Sequence, residues 1–257
     1  MSLNILPVFR RDLKAYFHSP SVYVVAGLFL MFAGFVFMNL VNVFSYASVS
    51  QKARTIYEFH DLNITQDVFG RLFYLLDFLI LLMVPIITMR TFAEEQKTGT
   101  FELLMTCPLR NWDIILGKYL ACVTIMAAIL GACLIFPFTL VILDTPPEFP
   151  VIFSAFFGLL LIAGAYVAFG VFASSLTENQ LVASVITLVG LFLFLLIGDL
   201  SATGLLSTIL EALSVESHTT NFTIGIIALI DVVYFVLFAA FFLFLTARVV
   251  QIRRWRV

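Results

Sequence analysis

The sequence predicts an all-α membrane protein of six transmembrane helices. An amphipathic interfacial helix precedes the first span, and a charged connection with a short coupling helix follows the second. Three observations predict this. Hydrophobic residues fill 62% of the 257 positions and charged residues 12%, against about 45–50% and 25% in a soluble domain. The mean hydropathy is +1.09, and the apolar runs are long enough for spanning helices rather than tilted barrel strands. The basic residues, once the spans are drawn, fall almost entirely on one side.

Residues 2–19 open the chain. Leu3, Leu6, Phe9, Leu13, Tyr16 and Phe17 recur at helical spacing, while Arg10, Arg11, Asp12 and Lys14 occupy the opposite side. This pattern predicts a helix lying in the membrane surface, with Phe9, Arg10, Arg11 and Lys14 as its candidate contact residues. The first span is expected over residues 21–44, too long for a signal-peptide core. A polar segment over 45–71 leads to the second span at 72–89, in which Pro85 removes a backbone donor. Further spans are expected at 119–143, 151–173, 180–197 and 232–250. The fourth carries Gly158, Gly164, Ala168 and Gly170, small residues that admit a close neighbour. Leu205, Leu206, Ile209, Leu210 and Leu213 suggest a short amphipathic helix in the outer element at about 199–222.

Six spans place both termini on one side. Eleven of the fourteen Lys and Arg residues then share that side: three before the first span, four in the 90–118 connection and four at the C-terminal end. The positive-inside rule makes it cytoplasmic, which predicts a multi-pass protein with both termini in the cytoplasm. The net charge of -2 suggests no nucleic-acid partner. No polar segment exceeds about 30 residues, so no independent soluble core is expected.

No catalytic or metal-binding constellation is expected. Gly117-Lys118 resembles the tail of a phosphate-binding loop, but Trp112 stands where that loop needs its first glycine, so the chain should not bind ATP itself. Cys107, Cys122 and Cys133 have no metal-like spacing. Asn63-Ile-Thr65 and Asn221-Phe-Thr223 match the glycosylation sequon. Asp77 and Asp231 lie within apolar runs and form a candidate intramembrane polar site, although both sit toward the outer end.

The connection over 90–118 holds eight of the chain's thirty Lys, Arg, Asp and Glu residues. Glu94, Glu95, Lys97 and Glu102 surround Thr98-Gly99-Thr100, and Phe101, Leu103, Leu104 and Met105 follow. Gly99 redirects the chain, and Thr100 can cap a following helix with Glu102 in its first turn. Apolar side chains among so many charges suit a surface that docks into a partner's groove.

The run Met89 to Pro108, followed by Gly117-Lys118-Tyr-Leu, resembles the loop after the second span in type-2 ABC exporter permeases. In particular it resembles the gliding-motility-type permease subunit of bacteria. Glu95, the Gly99 to Leu104 run and the Gly117-Lys118 pair carry the resemblance. It implies the type-2 exporter fold in the bacterial inner membrane. It also implies two copies of a separate ABC ATPase, which would hold ATP and Mg, and a second permease chain, the same or different. A membrane protein with a large external domain is a further implied companion. Arg90, Glu94, Glu95, Lys97, Gly99, Phe101, Glu102 and Leu104 then become the ATPase-coupling residues. A membrane anchor or assembly subunit of a larger envelope machine would keep the same docking loop, and is the alternative.

Overall fold

The computed structural model describes residues 5–50, 63–101, 110–142, 147–197, 212 and 214–254, and the regular structure among them is helical. In chain order the elements are α1 (Ile5–His18), α2 (Pro20–Val49), α3 (Arg71–Thr88), α4 (Ala93–Lys97), α5 (Asn111–Ala132), α6 (Ile135–Ile142), α7 (Phe149–Leu176), α8 (Gln180–Leu196), α9 (Val215–Thr223) and α10 (Leu229–Arg254). A π-helical turn, Thr65–Gly70, runs directly into α3. Its entry is capped reciprocally: Asn63 Oδ1 accepts from the Thr65 N–H at 2.9 Å, and Asp67 Oδ2 accepts from the Asn63 N–H at 3.1 Å.

Five stretches are long and apolar enough to cross a bilayer: Pro20–Val49, Thr65–Lys97, Asn111–Ile142, Phe149–Leu176 and Leu229–Arg253. The expected span at 180–197 is the apolar helix α8, of 17 residues, or about 25 Å at 1.5 Å per residue. α7 is the hub. Of its most apolar window 72% is inside the protein, against 17% for α2. α10, α3, α8, α5 and α9 all pack on α7, whereas α2 presents most of its surface outward.

The boundaries differ from the sequence expectation where local chemistry extends or breaks a helix. α5 starts at Asn111, not near residue 119. Arg110 is its N-cap, and the Asp113 carboxylate returns to the Arg110 N–H at 3.4 Å, closing a capping arrangement one turn before the apolar run. Lys118 therefore belongs to a helix and is 3% exposed, not solvated in a loop. The same apolar run is interrupted at Cys133 and Leu134, which are bridged by short bonds such as Cys133 N–H to Leu130 O at 3.0 Å. Pro137 explains the break, because it cannot donate to the Cys133 carbonyl and its ring crowds that carbonyl. α10 begins at Leu229, so Asp231 lies in its first turn, where a carboxylate suits the helix dipole. Of the expected outer element, α9 is described. Leu205, Leu206, Ile209, Leu210 and Leu213 lie outside the described residues.

Two glycines set how the helices meet around the charged end. A Cβ on Gly117 of α5 would sit 2.8 Å from the Val8 side chain, so glycine lets α1 lie directly on α5. A Cβ on Gly170 of α7 would fall 2.2 Å from Thr88 Oγ1, so glycine seats the end of α3 against α7.

Candidate functional site

The α1–α2 junction is a sharp corner. The Ser19 N–H bonds the Tyr16 carbonyl at 3.1 Å, and Pro20 opens α2 at a position where its missing donor costs nothing. α1 is thereby laid across the end of the bundle, with Val8 buried against α5. Tyr16 fastens it. Its hydroxyl donates to the Ile87 carbonyl at 3.1 Å and lies 3.3 Å from Cys122 Sγ. Enclosure raises the Tyr16 pKa well above its ordinary value, so the phenol stays a neutral donor.

α4 follows α3 after a short turn and is clamped from three sides. Ser174 of α7 receives the Phe92 and Ala93 N–H groups, each at 3.1 Å, and donates to the Met89 carbonyl at 3.1 Å. One hydroxyl thus satisfies the backbone where α3 stops and α4 starts. Gln96 Nε2 donates to the Ser175 carbonyl at 3.2 Å. Gly99 then turns the chain with φ +72°, a left-handed conformation that glycine adopts without penalty.

The third clamp is ionic. Glu95 Oε1 accepts from Arg11 Nη2 of α1 at 2.7 Å and lies 2.9 Å from Lys118 Nζ of α5. Lys118 also donates to Asp12 Oδ2 at 3.2 Å and to the Thr91 carbonyl at 2.8 Å. Its three donors therefore have three acceptors, and its ammonium lies 5.3 Å from the Phe92 ring centre. Arg11 closes the set on Asp12 Oδ1 at 2.7 Å. Burial works to lower the Arg11 pKa, but the Asp12 and Glu95 carboxylates outweigh it and the net shift is upward. Two cations and two anions balance in this junction, which joins α1, α4 and α5. On its flank a cavity of about 500 Å³ opens between α1, the start of α2 and the end of α3.

The structure sorts the sequence candidates into two faces. Glu94, Lys97, Gly99 and Thr100 are exposed and form an outward rim. Glu95 is turned inward. Phe101 is also inward, 6% exposed and edge-on to Phe92 at 6.3 Å. This corrects the expectation that Phe101 belongs to an apolar face aimed at the cytosol: the ring completes the protein's own core. Arg90 donates to Ser19 Oγ at 3.2 Å. Glu102 and Leu104 lie outside the described residues. In α1, Arg10 and Lys14 are exposed and Phe9 is half-buried, while Arg11 is committed to the junction. Asp12, Thr91, Ser174 and Lys118 are the partners that sequence reading did not assign to the site. Only Lys118, through the Gly117-Lys118 pair, left a mark in the sequence.

The two acids within apolar runs belong to the other end. Asp231 is 2% exposed and accepts from Asn221 Nδ2 at 2.8 Å. It is therefore a buried, partnered group. The same bond occupies the amide of the second sequon. Asp77 is also buried and interacts with Tyr166 and, electrostatically, with Glu216. Yet neither Asp77 Oδ1 nor the Tyr166 hydroxyl has a partner in hydrogen-bond geometry. The structure does not bring Asp77 and Asp231 into one charged pair. Among the described residues no group of three His, Cys, Asp or Glu side chains is placed to hold a metal ion.

No curated protein matches the chain. The family model described as ABC-2 family transporter protein matches residues 6–223, from α1 through the end of α9. That stretch contains the whole junction and the corner that presents it. Several apolar helices of spanning length surround it, as a multi-pass membrane subunit requires. The chain therefore belongs to the ABC-2 transporter family, as a permease subunit of the kind that generally partners with an ABC ATPase.

Proposed function

We propose that this chain couples ATP hydrolysis on a separate ATPase subunit to outward movement of a substrate, and that the α4 elbow receives the force. The observation that carries this reading is the two-faced construction of α4. Its exposed rim of Glu94, Lys97 and Thr100 is free to meet a partner, while Glu95 and Gln96 one step away are bonded to α1, α5 and α7. A push on the rim is delivered to three helices at once through short polar contacts, without a flexible linker. In this reading α8 is the sixth span, both termini and the elbow face the cytoplasm of a bacterial inner membrane, and two ATPases serve two permease chains. ATP and Mg belong to the ATPase. The likeness of the Met89 to Pro108 run supports the gliding-motility-type branch and, with it, a companion membrane protein with a large external domain.

The test is purification of the chain from native membranes in mild detergent, with identification of co-eluting proteins. A stoichiometric ABC ATPase is the expected result, and Glu94→Ala/Lys97→Ala should reduce its recovery while the chain still inserts. Absence of any ATPase under conditions that preserve other complexes would overturn the reading.

A further inference from the structure

The cavity beside the junction has an apolar wall and a cation, Arg90, that the proposed contact rim of Glu94, Lys97 and Thr100 does not use. Its lining divides into an apolar wall and a polar rim. Val22, Val25, Ile86 and Ile87 form the wall, and Arg90, Glu94, Ser19 and Ser21 belong to the rim. Ile86 is 42% exposed on the outer surface of a spanning helix, so the wall is continuous with the lipid-facing side of the bundle. With an apolar wall on one side and a charged rim on the other, the cavity has the lining expected where hydrocarbon gives way to water.

Charge accounting separates the rim into spent and unspent groups. Arg11, Asp12, Glu95 and Lys118 neutralise one another. Among the described residues Arg90 has no ion-pair partner, and its bond goes to a neutral hydroxyl, Ser19 Oγ, at 3.2 Å. Glu94 likewise has no cation among them. A guanidinium and a carboxylate thus stand unspent on one rim. The N-terminus of α2 adds to the site. Ser19, its N-cap, makes no capping bond to the helix. Its hydroxyl instead lies 2.7 Å from Ser21 Oγ and accepts from Arg90. Two hydroxyls and a guanidinium thereby meet at the first turn of α2, an arrangement that favours a phosphate.

We infer that this cavity binds a zwitterionic phospholipid of the adjoining leaflet, phosphate against Arg90 and the Ser19–Ser21 hydroxyls, ammonium toward Glu94, and acyl chains along Val22, Val25 and Ile86. An ammonium with N–H donors, as in phosphatidylethanolamine, suits the Glu94 carboxylate. The volume of about 500 Å³ falls within the roughly 300–1,000 Å³ of small-molecule sites and takes a headgroup with the first methylenes of its chains. A lipid held here would wedge the α1–α2 corner against the end of α3. The inference needs only that these helices cross a membrane, so its failure leaves the ATPase reading standing.

The experiment uses the full chain, with whatever subunits co-purify, stripped of lipid in mild detergent. It is titrated with phosphatidylethanolamine, phosphatidylglycerol and inorganic phosphate, and binding is followed by native mass spectrometry. Phosphatidylethanolamine should bind best, and Arg90→Gln should weaken it at least about tenfold. Val25→Phe, which narrows the apolar wall without touching charge, should weaken it as well. Glu94→Gln should shift preference toward phosphatidylglycerol. Arg10→Gln, exposed and away from the cavity, should bind as wild type. Wild-type binding by Arg90→Gln, an equal loss in Arg10→Gln, or displacement of the lipid by inorganic phosphate at similar concentration would each overturn the proposal. Should Arg90→Gln fail to fold, Glu94→Gln decides alone, and an unchanged lipid preference there overturns it.

Discussion

The two ends of this bundle bury charge in opposite ways. At the α4 end, Lys118 is 3% exposed and each of its donors meets an oxygen from a different part of the chain. At the other end, Asp77 and Tyr166 are buried with Asp77 Oδ1 and the Tyr166 hydroxyl lacking geometric partners, and Asp231 relies on the Asn221 amide. A charge-balanced junction resists rearrangement even with Glu95 Oε2 left without a partner, because removing any member upsets the balance in a mostly buried site. An acid without a matched cation gains little from its neighbours, so its loss should cost little. The first end ties α1, α4 and α5 together through ionic contacts. The second can change without the bundle losing its ties.

The sharpest way to break this contrast is Lys118→Met. It leaves Asp12 and Glu95 in a mostly buried site with Arg11 as the cation they still share and should destabilise the protein by about 3 kcal/mol, the low end for a broken buried pair. Chemical unfolding in detergent measures this, and adding Glu95→Gln to Lys118→Met should recover part of the loss. A fall no larger than that of a surface substitution would show the junction to be incidental. Next, Gly170→Val places side-chain atoms where Thr88 already sits. The expected cost is about 1–3 kcal/mol, read as a lower melting temperature and faster proteolysis at the elbow. At the opposite end, Asp77→Asn keeps the shape and removes the charge, and should change stability by no more than about 1 kcal/mol. A loss of transport with unchanged stability would move Asp77 into the working site. The smallest effect is expected of Arg253→Gln. Its pairing with Glu178 spans 3.9 Å, and Glu178 is 70% exposed, so the ion pair should contribute at most about 1 kcal/mol.

Much of the elbow was legible from residue types. Gly99 marked a turn, which the structure shows with φ +72°, and Glu94 and Lys97 marked a polar surface, where both are exposed. Phe101 was misplaced for a physical reason. A phenylalanine beside charges reads as a docking group, but whether its ring turns to the partner or back onto Phe92 depends on a neighbour supplied by tertiary packing. The helix starts at Asn111 and Leu229 were also missed. Hydropathy locates the apolar part of a helix: Asp113 extends α5 through a polar turn that hydropathy scores as loop, and Asp231 is a lone charge in an apolar run that reads as a boundary but lies in the first turn of α10.

What the sequence by itself determined is the material of the fold: apolar helices of spanning length, an amphipathic lead-in, a charged elbow and an excess of basic residues at one end. These follow from local composition, since a long apolar helix satisfies its own backbone in lipid wherever it is placed. Only the tertiary structure decided which charges are structural and which are offered outward. Glu95 meets Arg11 across 84 positions, and Lys118 meets Asp12 across 106. Glu94 and Glu95 are identical side chains on adjacent residues, and one is exposed while the other is locked. The difference lies in the direction each takes from a five-residue helix, and that direction is set by Ser174, Gly170 and Gly117 on helices that come together only when the bundle closes.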